Sequence, residues 1–213
     1  SLEAITRNDL AAFHRRYYHP GVFIVAVSGD VKPETILPKL ELHMGDWPTL
    51  DAIAQPVPKP THMPVSGLYV VNKPDVNQGR VLIGHVGTTR DNPDRYALTI
   101  MNDILGGGGF TSRLMTRIRS DEGLAYSASS RFGLGTYYDG IFRAGFQSRS
   151  ETVVRAAAIV LEEISRIRSE PVSRAEINNS ISSFVETFTR NFSSAASTAN
   201  LFAGDEYTGR DPS

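Results

Sequence analysis

The sequence predicts an α+β fold, with a mixed, mostly antiparallel sheet covered on one face by helices. Two observations carry the prediction. Short β-branched or aromatic runs bounded by glycine, such as "GRVLIGHVG", mark buried strands. Longer stretches with apolar residues three and four apart, such as "SETVVRAAAIVLEEISRIRS", mark helices with one apolar face. The strands cluster with long helices, and no short-period repeat appears, so the elements read as one sheet backed by helices.

Taken in order, "TRNDLAAFHRRYY" predicts a helix with Thr6 as its N-cap and Leu10, Phe13 and Tyr17 on one face. "GVFIVAVSGD", bounded by Gly21 and Gly29, predicts a buried strand over 22–29. Pro33 then opens a helix through "KPETILPKLELHMGDW", in which Pro38 requires some adjustment. Five prolines in the seventeen residues "PTLDAIAQPVPKPTHMP" predict an extended linker. The domain division is therefore 1–48 as a helix, strand and helix, 49–65 as linker, and 66–213 as the second domain.

Beyond the linker, "SGLYVVNKP" and "GRVLIGHVG" predict two strands joined through "DVNQ". "NPDRYALTIMNDIL" predicts a helix with Pro93 in its first turn, ended by the glycine run at 106–109. A further helix from Phe110 to Arg119 places Phe110, Leu114 and Ile118 on one face. "GLAYSASSRF" and "YDGIFRAGFQS" predict strands in a hairpin around "GLGT". The next helix takes Ser150 as its cap and turns Val153, Ala157, Val160, Leu161 and Ile164 inward. "SRAEINNSISSFVETFTRNF" predicts another, which "SSAASTANLFAGDEY" extends.

Composition narrows the function classes. The 213 residues are 40% hydrophobic and 21% charged with a net charge of −1, which gives no footprint of a general polyanion binder. The longest apolar runs are too short to cross a bilayer. Without cysteine there is neither disulfide nor thiolate metal site. The start at Ser1 and the polar "YTGRDPS" at the end read as an excised piece of something longer.

His14 and His19 stand five apart, but a zinc peptidase helix needs two histidines with a glutamate beside the metal, as in H-E-x-x-H or H-x-x-E-H. Neither string occurs, and His43, His62 and His85 are isolated. No metal site is expected in this chain. "GGGGF" before a helix resembles a phosphate-binding turn, yet a helix precedes it where the dinucleotide fingerprint wants a strand. Phe110 and Thr111 stand where a P-loop has Lys and Ser or Thr. A helix connection, or a loop facing substrate at Gly107, Gly108 and Gly109, fits better. Arg113, Arg117 and Arg119 fall in the following helix, where solvated arginines complement the dipole. Arg119 is distinct because Tyr126 follows seven residues later across the turn Asp121-Glu122-Gly123. Turn and strand can bring the two donors together, suited to backbone carbonyls of an extended peptide. Otherwise Tyr126 is a half-buried sheet residue.

"LGGGGFTSRLMTRIRSDEGLAYSASS" resembles the C-terminal-type domain of the pitrilysin, insulinase and mitochondrial processing peptidase family of inverted-motif zinc metallopeptidases. "DLAAFHRRYYHPGVFIVAVSGDVKPETILPKLELHMGDWP" is similar to the stretch that closes the preceding domain in that family. The resemblance implies the processing-peptidase (LuxS-like) fold and two halves around a chamber. One half binds zinc through H-x-x-E-H; the other supplies an Arg and a Tyr that hydrogen-bond substrate backbone, matched here by Arg119 and Tyr126. It implies no cofactor in this chain, zinc in a catalytic partner half, peptide substrate, and no nucleic acid or membrane partner. Three readings follow. The chain is a non-catalytic, substrate-binding half that is inactive alone, a purely structural assembly subunit, or a piece of an active peptidase without its metal domain. Catalytic members carry a similar block, so the tyrosine does not choose between them. The family's bacterial use, with the absent cysteines, leans towards the periplasm. Residues 6–30 are expected to fill an open place in the second domain's sheet, in the same chain or swapped into a homodimer.

Overall fold

The computed structural model describes residues 2–48, 60, 61 and 63–210, which fall into two compact units. One is drawn from Ser1–Val57 and Thr187–Ser213, the other from Pro58–Glu186. The expected linker at 49–65 lies outside the described residues except at 60, 61 and 63–65.

In the first unit, α1 (Arg7–Tyr17) opens at Thr6 as expected. The Thr6 hydroxyl accepts from the Asp9 amide at 3.3 Å, and the Asp9 carboxylate accepts from the Thr6 amide at 2.8 Å. This reciprocal cap satisfies two amide donors that the helix itself leaves open. It also holds the Asp9 carboxyl below its usual range, chiefly through the Thr6 backbone N–H. The expected strand at 22–29 is not formed: Pro20–Val22 make a 3₁₀ turn, and the following residues are extended without a ladder partner. β-Branched residues favour extended backbone, but a strand exists only where a second strand takes its hydrogen bonds. α2 (Pro33–Met44) begins at Pro33 and runs through Pro38.

In the second unit, the expected strand over "SGLYVVNKP" is likewise not formed, and Leu68, Tyr69, Val70 and Val71 are exposed. β1 (Gln78–Val86) is the first strand, followed by the short β2 (Thr88–Thr89). α3 (Arg95–Asn102) widens into a π-helical turn, Asp103–Gly107, which ends within the glycine run as expected, with Gly108 as its C-cap. After a 3₁₀ turn at Gly109–Thr111 comes α4 (Arg113–Met115), which widens into a second π turn, Thr116–Asp121. The helix thus starts three residues later than predicted, and Phe110 leaves the face of Leu114 and Ile118 for the surface.

β3 (Ala125–Phe132), β4 (Leu134–Gly135) and β5 (Ile141–Arg149) complete the strands. Among the described residues, the main sheet has the order β1-β5-β3 and is antiparallel throughout. β2 and β4 pair in parallel, so the loop between β3 and β5 is held to the end of β1 instead of turning tightly at "GLGT". Burial alternates along β5, with Phe142, Ala144, Phe146 and Ser148 turned inward. They pack with Ala128, Leu105, Leu114, Ile118 and the apolar side of α5 (Val153–Ser169). Each buried Leu, Ile or Phe contributes roughly 1.5–3 kcal/mol relative to exposure.

α5 is capped at Thr152, not Ser150, and buries Ala156, Ile159, Val160 and Glu163, whereas Leu161 is 55% exposed. The phase is as predicted, with Val160 buried and Val153, Ala157 and Ile164 packed against the core, and of the five only Leu161 lies off it, at the edge of the apolar stripe. α6 (Arg174–Phe188) follows, and its last two residues belong to the first unit. The small-residue stretch does not extend α6. It forms α7 (Ala195–Thr208), whose amide at Ser197 donates to the Ser194 hydroxyl at 3.0 Å and gives the helix its own cap. No described helix is long and apolar enough to cross a membrane.

Candidate functional site

The glycine run is a packed structure. The Gly108 amide donates to the Asp103 carbonyl five residues back at 2.8 Å, which closes the π turn. Gly106 is buried against β3, where a Cβ would stand 2.5 Å from the Ser130 nitrogen and 2.6 Å from its Oγ. Gly109 has φ of +63°, a left-handed conformation that favours glycine. Gly107 and Gly109 are exposed and Gly108 is half-buried, so the run presents backbone to solvent on one side only.

The three arginines that follow separate sharply. Arg113 donates to Glu176 through two nitrogens, at 2.6 and 3.1 Å. That pair holds the Glu176 carboxyl down at about 2, aided by the Ser173 amide and hydroxyl, and pushes the Arg113 guanidinium up. Arg117 donates to the fully buried Glu163 at 2.8 Å, and Arg166 reaches the same oxygen at 2.9 Å. Neither Arg113 nor Arg117 is a solvated residue of the helix end. Arg119 has no hydrogen bond or ion pair with any described residue.

Stacking holds Arg119 instead. Its Cζ lies 4.7 Å from the Phe110 ring centroid and 4.8 Å from that of Tyr126, so the cation stands over two exposed aromatic rings. Backbone geometry places all three. The Leu124 amide donates to the Ile118 carbonyl at 2.8 Å, and Gly123 turns the chain at φ of +61°. β3 then enters the sheet with a bulge: Ala125 pairs with Ser148 and Ala128 with Phe146, three steps on one strand against two on the other. Ala125 and Ala128 are buried while Tyr126 and Ser127 both face out. A bulge re-aims a side chain in this way, and here it brings the phenol to the guanidinium. The Tyr126 hydroxyl has no partner among the described residues.

The predicted pair is thus brought together, though through ring and cation, and both hydrogen-bonding heads remain uncommitted. Phe110 was missed because its expected place was the apolar core face. The bulge has a trace in the sequence: small buried residues three apart, Ala125 and Ala128, break the two-residue period of a strand.

Among known protein families, residues 4–184 match the peptidase M16 inactive domain. The chain belongs to this family. An uncharacterised zinc protease of Mycobacterium leprae is 30% identical over 181 residues, covering 83% of this chain and 39% of that protein. The chain therefore spans about two fifths of the length of that curated relative. Two solved structures share the fold. A peptidase M16 inactive domain from Pseudomonas fluorescens superposes with a TM-score of 0.75 at 24% identity, covering 100% of this chain and 50% of that one. A protease from Helicobacter pylori gives 0.78 at 22%, covering 98% and 51%.

In this M16 inactive domain, no cluster of three His, Asp or Glu is placed to hold a metal ion among the described residues. His14 stacks on Tyr18 at 5.1 Å, whereas His19 is buried. Among the described residues this donor set does not fit zinc.

Proposed function

We propose that this chain is the non-catalytic half of a zinc metallopeptidase, binding extended peptide and completing the site of a zinc-bearing partner half. The partner is a separate subunit or another stretch of the same polypeptide, and it carries the metal that activates water. Arg119 and Tyr126 then supply position. The observation that carries this reading is Arg119 held over the Tyr126 and Phe110 rings, with its donors, like the Tyr126 hydroxyl, having no partner among the described residues. Two such donors side by side suit one peptide carbonyl, fixing its angle and stabilising charge that develops on its oxygen. Tyr126 sits on β3, the terminal strand of the sheet order, beside which a peptide lies as an added strand. Gly107 and Gly109 offer exposed backbone near the same residues, a surface that a peptide chain approaches closely.

The test uses the chain alone and then with a zinc-bearing M16 half encoded beside it. With zinc and a fluorogenic peptide, the chain alone gives no hydrolysis and the pair gives turnover. Arg119→Ala or Tyr126→Phe lowers kcat/KM of the pair while its assembly persists. Unchanged turnover in both variants would replace this reading with an assembly role on the same fold. Chelator-sensitive hydrolysis by the chain alone would make it a catalytic piece in its own right.

A further inference from the structure

The face of the sheet turned away from the helices carries a second surface with chemistry of its own. Outward positions of the three strands form a hollow of about 520 Å³. Its floor is Leu82, 62% exposed, beside Gly145, where a Cβ would stand 2.8 Å from the Leu82 side chain. Arg80 closes one end, and Arg131 with Arg143 the other. No acidic residue lines it, and none of the three arginines makes an ion pair with a described residue.

The register makes this arrangement costly. Arg131 and Arg143 are directly opposite partners on neighbouring strands, a like-charge pair that weakens a sheet. A cation triplet without counter-charge complements a negatively charged occupant. Its spacing says which kind. Arg80 pairs with Gln147, four residues along β5 from Arg143, so the two ends of the hollow are about 13 Å apart at ~3.3 Å per residue. That is also the distance between side chains i and i+4 on one face of an extended peptide.

We propose that this open sheet face binds an extended acidic peptide segment. One carboxylate engages Arg80, and the carboxylate four residues away engages Arg131 and Arg143. Gly145, without a side chain, lets the peptide lie close, and the Ser129 hydroxyl offers a further hydrogen bond. With a net charge of −1 the chain has no general polyanion field, which favours spaced carboxylates over a nucleic acid backbone.

Fluorescence anisotropy on the 213-residue chain tests this with a labelled Glu-Thr-Val-Thr-Glu peptide, its Gln-for-Glu counterpart, and an oligothymidine of ten nucleotides. The acidic peptide binds about tenfold tighter than the neutral one, and less so as salt is raised. Arg80→Gln, Arg131→Gln and Arg143→Gln each reduce that affinity several-fold. Arg143→Gln melts at the same temperature as the parent or higher, since it removes a like-charge pair, so lost binding is not lost folding. Arg119→Ala leaves this affinity within about twofold, which separates the surface from the Arg119–Tyr126 site. Equal binding of the acidic and neutral peptides, or indifference to all three Gln variants, overturns the proposal. Oligothymidine binding as tight as the acidic peptide overturns it too, in favour of a nucleic acid surface.

Discussion

The guanidinium of Arg119 lies over the ring of Tyr126, 4.8 Å from its centroid, and 4.7 Å from that of Phe110. The stack is exposed, so it contributes only about 0.5–1 kcal/mol to folding. Replacing Arg119 or Tyr126 is therefore expected to shift the melting temperature by a few degrees at most. In the proposed pairing with a zinc-bearing half, the same changes are expected to lower kcat/KM by about 10²-fold, the scale on which a donor to a developing oxyanion acts. Phe110→Ala should fall between, because it removes one wall and leaves both donors. Steady-state kinetics beside thermal melts of each variant separate the two effects.

Glu163 presents the opposite case. It is fully buried and accepts from Arg117 and Arg166 through one oxygen, at 2.8 and 2.9 Å. Glu163→Ala leaves Arg117 only its longer contact to Glu162 at 3.4 Å and opens a polar gap under α5, and it is expected to cost about 3 kcal/mol. For a chain of this size that is a fall of about 10 °C in melting temperature. A fall under 2 °C would mean the arginines relax freely into solvent.

Stability towards acid is expected to depend on Glu176. Its carboxyl titrates at about 2 in the folded chain against an ordinary 4.5, chiefly because Arg113 donates to it. A depressed carboxylate stabilises the fold above the unfolded value, and that contribution disappears as pH falls from 4.5 towards 2. Urea midpoints measured between pH 6 and pH 2.5 should drop in the parent chain. Glu176→Gln should be less stable at pH 6 and lose less on acidification.

Gly106→Ala is expected to destabilise by about 2–3 kcal/mol, because the new methyl meets the backbone of Ser130, which cannot yield without disturbing β3. Gly109→Ala meets no neighbour and should cost only about 1 kcal/mol, for its positive φ. Equal effects from the two would remove the distinction between packing and conformation. Chemical denaturation of both variants provides the comparison.

Much of the local structure was legible in the chain. Thr6 caps α1 where a Thr with Asp three residues on predicts it, and the strand alternation over 141–149 puts Phe142, Ala144 and Phe146 into the core. A second cap went unread: Ser173 and Glu176 form the reciprocal pattern that opens α6, and "SRAE" spells it. Residues 22–29 and 66–74 misled because β propensity describes backbone preference and is silent on whether a partner strand is present. For the candidate site, Arg119 and Tyr126 were visible through spacing and the resemblance of their surroundings. Phe110 was not, since it falls in the 3₁₀ turn between the first π turn and α4, and single-sequence periodicity assumes a uniform helix.

What the sequence determined alone is short-range: helix caps, the alternation of buried and exposed strand positions, glycines where a side chain has no room, and membership of a family without its zinc string. Such features depend on neighbours a few residues away, which the chain always supplies. Tertiary structure decided which arginines meet carboxylates, which extended runs become strands, and where a bulge turns a tyrosine outward. Those outcomes rest on contacts between residues tens of positions apart, whose geometry exists only once the sheet and helices have packed.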